Sequence, residues 1–483
     1  MKHLFDMLSE NRDSGIYPYH MPGHKRRACG ELKSEFCGID ITEIDGFDNL
    51  HQPEGILLDL QQKAARLYGA SESFYLVNGS TAGILSAVST ALPQGGHILM
   101  ARNCHKSAYH AAYLRNLKIS YLYPPVLTDY DIFDGVQLGQ VQEALDAEPD
   151  IQAVLLVSPT YEGRISDIRA IAEITHERGI PLIVDEAHGA HLGLGHNFLE
   201  NSCQAGADLV IHSLHKTLPS LTQTALLHVN GELIDRELLR RYLRIYQTSS
   251  PSYILMASID NGLEFAAKEG QKAFGLFEEK YSKILKDLSA CRHLRILPWE
   301  REYQDIGKLV ISVKGAGMSG RELYDILLHK YKLQPEMASE SYVLAMFTVN
   351  DGAEGYERMT RALLEIDGAL EEVRSASETA GIEPATVRAA GIKPADTKWH
   401  PPICKIPLSK AWDMKSEETE LEESVERLAG EFVNLYPPGV PVLVPGEEIT
   451  RELCSRIRDW VLEGLTVQGV RLHDDKIYVK TLV

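Results

Sequence analysis

The sequence predicts an α/β fold, with a mainly parallel sheet in a large domain and a smaller α+β domain at the C-terminal end. Short apolar runs alternate with helical patterns through the middle of the chain, as the strands and helices of a parallel sheet do. Two of these runs end in a reactive side chain, Asp185 in one and, after a short turn, Lys216 in the other. The alternation stops near Arg292, beyond which the pattern becomes α+β.

The length of the chain, 483 residues, is too great for one simple core, so we expect several domains. Composition shifts divide the chain into an N-terminal arm (1–55), a large domain (56–293), a small α+β domain (294–373), a linker (374–402) and a C-terminal domain (403–483). The arm has short apolar pieces between polar turns, and the linker is rich in Ala, Pro, Thr and Glu. In the C-terminal domain we expect a helix near residues 420–435 and a buried extended segment at 436–447.

The large domain is expected to begin with a helix over residues 57–67 that ends near Gly69, because apolar residues recur there at helical spacing. Residues 73–85 then predict a strand, a turn of small polar residues and a second helix. A long amphipathic helix is expected over residues 254–288, near the end of this domain.

A candidate phosphate site follows the first strand of the large domain. Gly79, Ser80 and Thr81 open a helix, where backbone N–H groups bind anions that small side chains allow to approach. The motif is not a Walker loop, since no Gly-Lys-Ser/Thr follows it. An ordinary turn with a helix N-cap explains the same residues when they are considered alone.

Lys216 is the candidate catalytic centre. Residues 209–211 predict a buried strand, and the turn after it carries Ser213 and His215. An ionised lysine is rarely placed against a core unless its amine is used, because burial penalises the charge. A lysine that has condensed with an aldehyde no longer carries that charge, so the position suits a Schiff base with pyridoxal phosphate. A lysine that caps the strand and points to solvent is the alternative.

Asp185 strengthens this interpretation, because an apolar run from Ile180 ends at its carboxylate. Ligands of open parallel sheets bind at the carboxyl ends of the strands, so Asp185 and Lys216 are expected to share a pocket. An Asp beside the pyridine nitrogen of pyridoxal phosphate keeps that nitrogen protonated, and the protonated ring accepts electrons from a substrate carbanion. A structural Asp185 that caps the next helix is the alternative.

His105 follows a strand at residues 97–100 and begins a helix. A flat ring in that place can face a cofactor, and a histidine that caps the helix explains the sequence equally well. Lys106 is a second lysine near the expected pocket. It lies where a helix starts, so we rank it below Lys216 as the Schiff-base lysine.

Composition excludes several classes of function. The formal net charge of -19 argues against a nucleic-acid partner, which requires a basic face, and against binding to anionic membranes. No apolar stretch approaches the roughly 20 residues that span a bilayer, and charges interrupt the N-terminus too early for a signal peptide. The 7 cysteines show neither CxxC nor Cys/His metal spacing, so we expect reduced thiols in a cytoplasmic protein and no metal site.

Short motifs lie along nearly the whole chain. They are His-Met-Pro-Gly-His-Lys (20–25), an acidic stretch (42–55), Asn-Gly-Ser-Thr (78–81), Arg-Asn-Cys-His-Lys-Ser (102–107), Asp-Glu-Ala-His-Gly-Ala-His (185–191), Ser-Leu-His-Lys (213–216), Ser-Ser-Pro-Ser-Tyr (249–253) and Tyr-Pro-Pro-Gly-Val-Pro-Val-Leu-Val-Pro-Gly-Glu (436–447). In this order they resemble the bacterial Orn/Lys/Arg decarboxylase family. The resemblance implies a fold-type I pyridoxal-phosphate-dependent, transferase-like large domain, and a homodimer or higher homo-oligomer with shared active sites.

The resemblance also implies roles for single residues. Lys216 would form the Schiff base, Asp185 would contact the pyridine nitrogen and His105 would stack on the ring. His188 is a further candidate catalytic residue of this sequence. The implied cofactor-binding set is Gly79, Ser80, Thr81, His105, Asp185, Ala187, Ser213, His215, Lys216 and Thr248. Within this set Ser80, Thr81, Ser213 and His215 would hold the phosphate, and Thr248 would reach the phosphate site of a neighbouring subunit. For the distal cation of the substrate, the candidates are His24, Asp45 and Glu447.

The implied activity is the decarboxylation of a basic amino acid. The chain looks most like the biosynthetic arginine decarboxylases, which convert L-arginine to agmatine and carbon dioxide for polyamine biosynthesis. Lysine or ornithine, with cadaverine or putrescine as product, is the alternative. Another fold-type I enzyme, such as an aminotransferase or a carbon-sulfur lyase, would use the same Lys and Asp, and a cofactor-free relative would keep only the fold.

Two departures from the family pattern bear on this interpretation. We expect no N-terminal receiver-like wing domain of the kind found in the large inducible members, and therefore no assembly through such a domain. His188 stands where some members carry Trp, in the Asp-Ser-Ala-Trp version of the motif. Substrate preference therefore does not transfer directly from those members.

Overall fold

The computed structural model describes residues 3–15, 21–22, 24–27, 34–195, 198–379, 402–437 and 439–483. The chain forms two compact units. One comprises Met1–Met100, Leu138–Pro159 and Asp167–Leu276, and the other comprises Ala101–Gln137, Thr160–Ser166 and Phe277–Val483. No helix in the described part of the chain combines the length and the apolar character needed to cross a bilayer.

The first unit carries a sheet whose strands lie in the order Glu72–Leu76, Ala225–Val229, Leu209–Ser213, Leu182–Asp185, Ala153–Val157 and His97–Ala101. All run in one direction except Ala225–Val229, which is antiparallel to both of its neighbours. The strands Leu182–Asp185 and Leu209–Ser213 are buried along their whole length, as expected for a sheet covered on both faces. The predicted α/β fold with a mainly parallel sheet is confirmed.

Helices connect and cover these strands. They are Leu4–Asp13, Ser34–Ile39, Ile56–Tyr68, Gly79–Ala91, Leu138–Ala147, Ile168–His176, Leu214–Thr217, Arg236–Tyr246, Tyr253–Lys268 and Gly270–Leu288, the last of which continues into the second unit. The helix Ile56–Tyr68 ends as predicted at Gly69, which has φ +72 and donates its N–H to the Ala65 carbonyl.

The second unit combines helices with strands, most of which form small antiparallel sheets. Its helical segments are Lys106–Leu114, Gly320–Asp325, Ile326–Lys330, Ala353–Thr379, Leu408–Ala411, Leu421–Ser424 and Arg451–Leu462. Its strands are Lys118–Leu122, Val126–Leu127, Ile132–Phe133, Arg295–Ile296, Lys308–Ser312, Met337–Ala338, Tyr342–Met346, Ser416–Glu420, Val433–Leu435, Val440–Leu443, Val467–Gln468, Val470–His473 and Lys476–Leu482. The last part of the chain has its own apolar core around Ile457 and Trp460.

Three expectations about helices need correction. The helix expected over residues 254–288 is interrupted at Glu269, next to Gly270, because glycine is a weak helix former. The helix expected near 420–435 is wrong: Gly430 N–H instead donates to the Lys480 carbonyl, and this pairing along a strand prevails over local helix propensity. The expected linker begins inside the helix Ala353–Thr379, since its Ala and Glu residues favour a helix, and residues 380–401 lie outside the described residues.

Candidate active site

Lys216 lies at the carboxyl end of a central strand of the first unit. The strand Leu209–Ser213 is followed directly by one helical turn, Leu214–Thr217, so the lysine sits on a turn whose start is anchored in the sheet. Leu214 N donates to the Thr224 carbonyl at 3.1 Å, and His215 Nδ1 donates to the same oxygen at 3.0 Å. These two bonds hold the turn that presents the amine.

Asp185 is the last residue of the neighbouring parallel strand and pairs in register with Ile211. The residue is only 8% exposed, and its Oδ1 accepts from Ala187 N at 3.2 Å. Burial raises the pKa of Asp185, while the charge of Lys216 and the Ala187 N–H favour the ionised form. The structure therefore brings the two predicted residues to one edge of the sheet, with their charges coupled.

His188 lies beside the lysine. Its Nε2 is 3.0 Å from Lys216 Nζ, within hydrogen-bond distance, and the imidazole is buried. The contact places a titratable nitrogen next to the amine, so a proton can pass directly between the two groups. His188 is among the predicted catalytic residues, and its position next to the amine suits that role.

The candidate phosphate site lies at the same edge. In the sheet register Leu76 faces Ala225, and Ala225 faces Ser213, which brings the end of the first strand close to the strand of the lysine. Gly79 then opens the helix Gly79–Ala91 with φ +73, a conformation that favours glycine. Ser80 and Thr81 follow in the first turn, so the predicted strand, turn and helix are confirmed.

Buried polar atoms test whether this edge fits a phosphorylated ligand. Within the described part of the chain, Ser213 Oγ and Thr217 Oγ1 are buried and have no hydrogen-bond partner. Buried hydroxyls rarely stay unpaired, so an acceptor-rich ligand beside Lys216 suits them. Together with the N–H groups at the start of the Gly79–Ala91 helix, these residues fit a cofactor that carries an aldehyde and a phosphate.

Two glutamine side chains that sequence analysis missed anchor the loop before Gly79. Gln223 Nε2 donates to the Val77 carbonyl at 2.5 Å, and Val77 N donates to Gln247 Oε1 at 2.9 Å. Gln223 itself has φ +84, a strained conformation for a residue with a side chain. Single glutamines in loops carry no pattern, so the sequence offered no signal for them.

Thr248 is exposed next to this loop. Its N–H donates to Asn78 Oδ1 at 3.2 Å, and its carbonyl accepts from His51 Nε2 at 2.7 Å. These bonds place Thr248 beside the residue that precedes Gly79. Its contact with the phosphate of another subunit stays a prediction.

His105 belongs to the second unit, where it is the N-cap of the helix Lys106–Leu114. Its side chain accepts from Ser107 N at 3.3 Å, so the capping explanation is confirmed. The backbone of Gly439 lies against the imidazole, since a Cβ there would be 3.4 Å from His105 Nε2. Stacking of this ring on a cofactor stays a prediction.

Two of the candidate substrate residues lie in the first unit. His24 Nε2 is 3.1 Å from Asp40 Oδ2, which gives the imidazole a carboxylate neighbour. Asp45 is exposed. Their roles in binding the substrate's distal cation stay predictions.

Glu447, in the second unit, has contacts that differ from those of a substrate ligand. Its Oε2 is 3.1 Å from Arg102 Nη2 and accepts from Val444 N at 2.8 Å, and both charged side chains are only 2% exposed. Arg102 also donates to the Pro441 carbonyl at 2.5 Å. Burial raises the pKa of Glu447, and the Arg102 charge opposes that rise. These contacts indicate that Glu447 anchors the 436–447 segment rather than a substrate cation.

Glu447→Gln is expected to lower the free energy of unfolding by about 3–5 kcal/mol, because it leaves Arg102 as a buried cation without its carboxylate. Urea unfolding followed by circular dichroism measures the change. The double variant Arg102→Met with Glu447→Gln should recover part of the loss, since no buried charge is then left. A double variant as unstable as the single one would contradict the anchoring role.

Comparisons with known proteins agree with this geometry. The family described as Orn/Lys/Arg decarboxylase, major domain, matches residues 2–302, and the C-terminal domain of the same family matches residues 408–460. Similar proteins include the uncharacterized protein YaaO of Bacillus subtilis, 33% identical over 96% of this chain and 95% of its own length, and arginine decarboxylase of Bacillus subtilis, 31% identical with the same coverage. The crystal structure of the Francisella novicida lysine decarboxylase LdcF superposes with a TM-score of 0.79 at 17% identity, over 99% of this chain and 81% of that one. That likeness shows the fold.

Proposed function

Because the chain belongs to the Orn/Lys/Arg decarboxylase family, we propose that it decarboxylates a basic amino acid with pyridoxal 5'-phosphate as cofactor. We further propose L-arginine as the substrate and agmatine as the product, a step of polyamine biosynthesis. The observation that carries the proposal is the placement of Asp185 and Lys216 at the carboxyl ends of two adjacent parallel strands, with coupled charges. The active form is proposed to be a homodimer or higher homo-oligomer.

The residues of the first unit suit each part of this cofactor. The amine of Lys216 would take the aldehyde, and the Asp185 carboxylate would hold the protonated pyridine nitrogen. The backbone at Gly79, Ser80 and Thr81, with the buried Ser213 hydroxyl, would hold the phosphate. When bound, pyridoxal phosphate stores the electron pair that Cα keeps as the substrate's carboxylate leaves as carbon dioxide.

The protein's own groups have two tasks in this reaction. Asp185 must stay ionised although burial raises its pKa, and the nearby positive charge favours that form. The amine of Lys216 would be free to return a proton to Cα once the substrate amine has taken the aldehyde. His188, 3.0 Å from the lysine nitrogen, is placed to resupply that proton. The turn fixed by Thr224 keeps the amine at the edge of the sheet throughout.

Arginine is proposed over lysine on one ground, the names of the similar proteins. The relative named arginine decarboxylase matches 96% of this chain at 31% identity, whereas the lysine decarboxylase of known structure is 17% identical. The net charge of -19 also favours the approach of a cationic substrate, although it does so for each basic amino acid alike. The guanidinium group is therefore the feature that an experiment must test.

A substrate panel tests the proposal. The purified protein, loaded with pyridoxal phosphate, is incubated with arginine, lysine and ornithine, and carbon dioxide and the amine product are measured. We expect agmatine, with kcat/KM for arginine at least about 100-fold above that for lysine, because a site built for a guanidinium leaves polar groups unpaired when a shorter cation binds. Cadaverine or putrescine as the main product would assign the substrate differently. Keto acid without carbon dioxide would point to an aminotransferase.

A further inference from the structure

A chain of buried hydrogen bonds runs beneath the strands that carry the candidate active site. Glu186 Oε2 is 2.6 Å from His212 Nε2, His212 Nδ1 is 3.0 Å from His228 Nε2, and His228 Nδ1 is 2.6 Å from Ser73 Oγ. At its other end Glu186 accepts from the hydroxyl of Ser202 at 2.6 Å and from the backbone N–H of that residue at 3.1 Å. This hydrogen-bond series thus links three neighbouring strands of the sheet through side chains and reaches the residue that follows a fourth, Leu182–Asp185.

These residues lie on the face of the sheet opposite to Ser213. His212 precedes Ser213 in a strand, so the two side chains point to opposite faces. The ring of Tyr68 packs against His212 at 4.7 Å between centroids, whereas Ile211 faces the helix that Gly79 opens. Glu186 directly follows Asp185, and His212 directly precedes Ser213. Both of these neighbours are candidate cofactor residues. Glu186 and His212 are therefore each joined to a candidate cofactor residue by a single peptide bond.

With Glu186 ionised and both rings neutral, each hydrogen bond of this series has a single direction. Burial lowers the pKa of His212 to about 3 and that of His228 well below its ordinary value, so both rings are neutral. His212 then donates from Nε2 to the carboxylate, His228 donates from Nε2 to His212, and Ser73 donates to His228. All donors point toward Glu186. The Glu186 carboxylate is thus the final acceptor of this series of hydrogen bonds.

We propose that Glu186 is a positioning residue of the active site, which acts through Ser202 and His212 to hold the strand ends that carry Asp185 and Ser213. Three donors converge on its carboxylate, and bonds to an ionised acceptor are shorter and stronger than bonds between neutral groups. The inference rests on the proposed function, since Asp185 and Ser213 matter here as residues that hold the cofactor. Glu186 itself touches neither substrate nor cofactor in this assignment.

Glu186→Gln tests the proposal with a side chain of the same shape. The amide oxygen of the glutamine can still accept from Ser202, but its N–H₂ group then faces the N–H of His212, and two donors cannot bond to each other. Both imidazole rings must therefore move their protons to Nδ1, which reverses the direction of every hydrogen bond in the series. We expect the dissociation constant of pyridoxal phosphate to rise about tenfold, as for other residues that orient a ligand's direct partners. We also expect the absorbance spectrum of the bound cofactor to shift. Titration of the cofactor into apoprotein, followed by absorbance and fluorescence, measures both.

Asp208→Asn is the matched control. Asp208 is also a buried carboxylate with a histidine partner, His176 Nε2 at 2.9 Å, and it accepts from Leu182 N at 2.8 Å. Asp208 lies at the amino ends of the strands Leu182–Asp185 and Leu209–Ser213, opposite to the ends that carry the candidate active site. We expect this variant to lose thermal stability while cofactor affinity and spectrum stay at the wild-type level. If Glu186→Gln does not accumulate as folded protein, Ser202→Ala, which removes only one hydroxyl donor, is expected to raise the dissociation constant by about threefold.

The outcomes separate this inference from the function on which it rests. Wild-type protein that binds no pyridoxal phosphate would overturn the proposed function and the inference with it. The inference alone would be overturned if the wild-type protein binds pyridoxal phosphate and Glu186→Gln binds it with the same affinity and the same spectrum. The same result in Ser202→Ala would overturn it where that variant is used instead. An equal loss of affinity in Asp208→Asn would also overturn it, because the effect would then follow from lower stability and not from Glu186.

Discussion

Lys216→Ala abolishes decarboxylation, with an expected fall in kcat/KM of at least about 10⁴-fold, because the reaction loses both its attachment point for the cofactor and its proton carrier. The fold should persist, since the lysine is only partly buried and the turn is held by the Thr224 carbonyl. The visible absorbance of the bound cofactor should disappear in the same variant. Borohydride reduction of the wild-type protein, followed by peptide mass spectrometry, should locate the pyridoxyl group on Lys216.

Lys106→Ala is the matched control for this experiment. Lys106 Nζ lies 3.5 Å from Gln468 Oε1 and 5.8 Å from the ring centre of Tyr436, contacts that give it a structural setting of its own. Its replacement should leave the absorbance and the labelled peptide unchanged. A pyridoxyl group on the peptide of Lys106, or an unaltered spectrum in Lys216→Ala, would refute the assignment of the lysine.

Asp185→Asn should lower kcat by about 10²–10³-fold, because a neutral amide no longer stabilises positive charge on the pyridine nitrogen. The change is nearly isosteric, and burial already disfavours the charged form of this carboxyl, so the fold should tolerate it. Single-turnover kinetics with saturating cofactor measures the chemical step separately from cofactor binding.

A cofactor analogue gives this prediction a sharper form. Wild-type protein loaded with the deaza analogue of pyridoxal phosphate, which has carbon in place of the pyridine nitrogen, should fall to the level of Asp185→Asn. The variant should lose little more with the same analogue, because both changes remove one interaction. Additive losses would show that Asp185 acts on something other than the ring nitrogen.

The sequence predicted the parts of the site that follow strand ends. Asp185 closes the strand Leu182–Asp185, and Lys216 follows the strand Leu209–Ser213 as expected. Parallel strands bring their carboxyl ends to one edge, so two apolar runs with polar ends suffice to place both groups. Gly79 was predicted on the same basis, because glycine before a helical pattern marks a turn that backbone N–H groups line.

The rest depended on contacts between distant segments. The capping of the Lys106–Leu114 helix by His105 could not be told from a free ring, since both begin a helix with the same residues. Glu447 was expected at the substrate because acids bind cations, and the cation that it meets is the protein's own Arg102. The buried histidines left a faint signal, a polar residue inside each of two apolar strand runs, but their shared chain of hydrogen bonds exists only once the strands pair.

The bond from His215 Nδ1 to the Thr224 carbonyl fixes which ring nitrogen of His215 carries the proton, because a carbonyl oxygen can only accept. With its proton on Nδ1, the neutral ring offers only a lone pair at Nε2, which repels an anion. Burial, and to a lesser extent the positive charge of Lys216, lowers the pKa of His215. In its neutral form His215 therefore ties the turn that carries Lys216 to the residue before the strand Ala225–Val229.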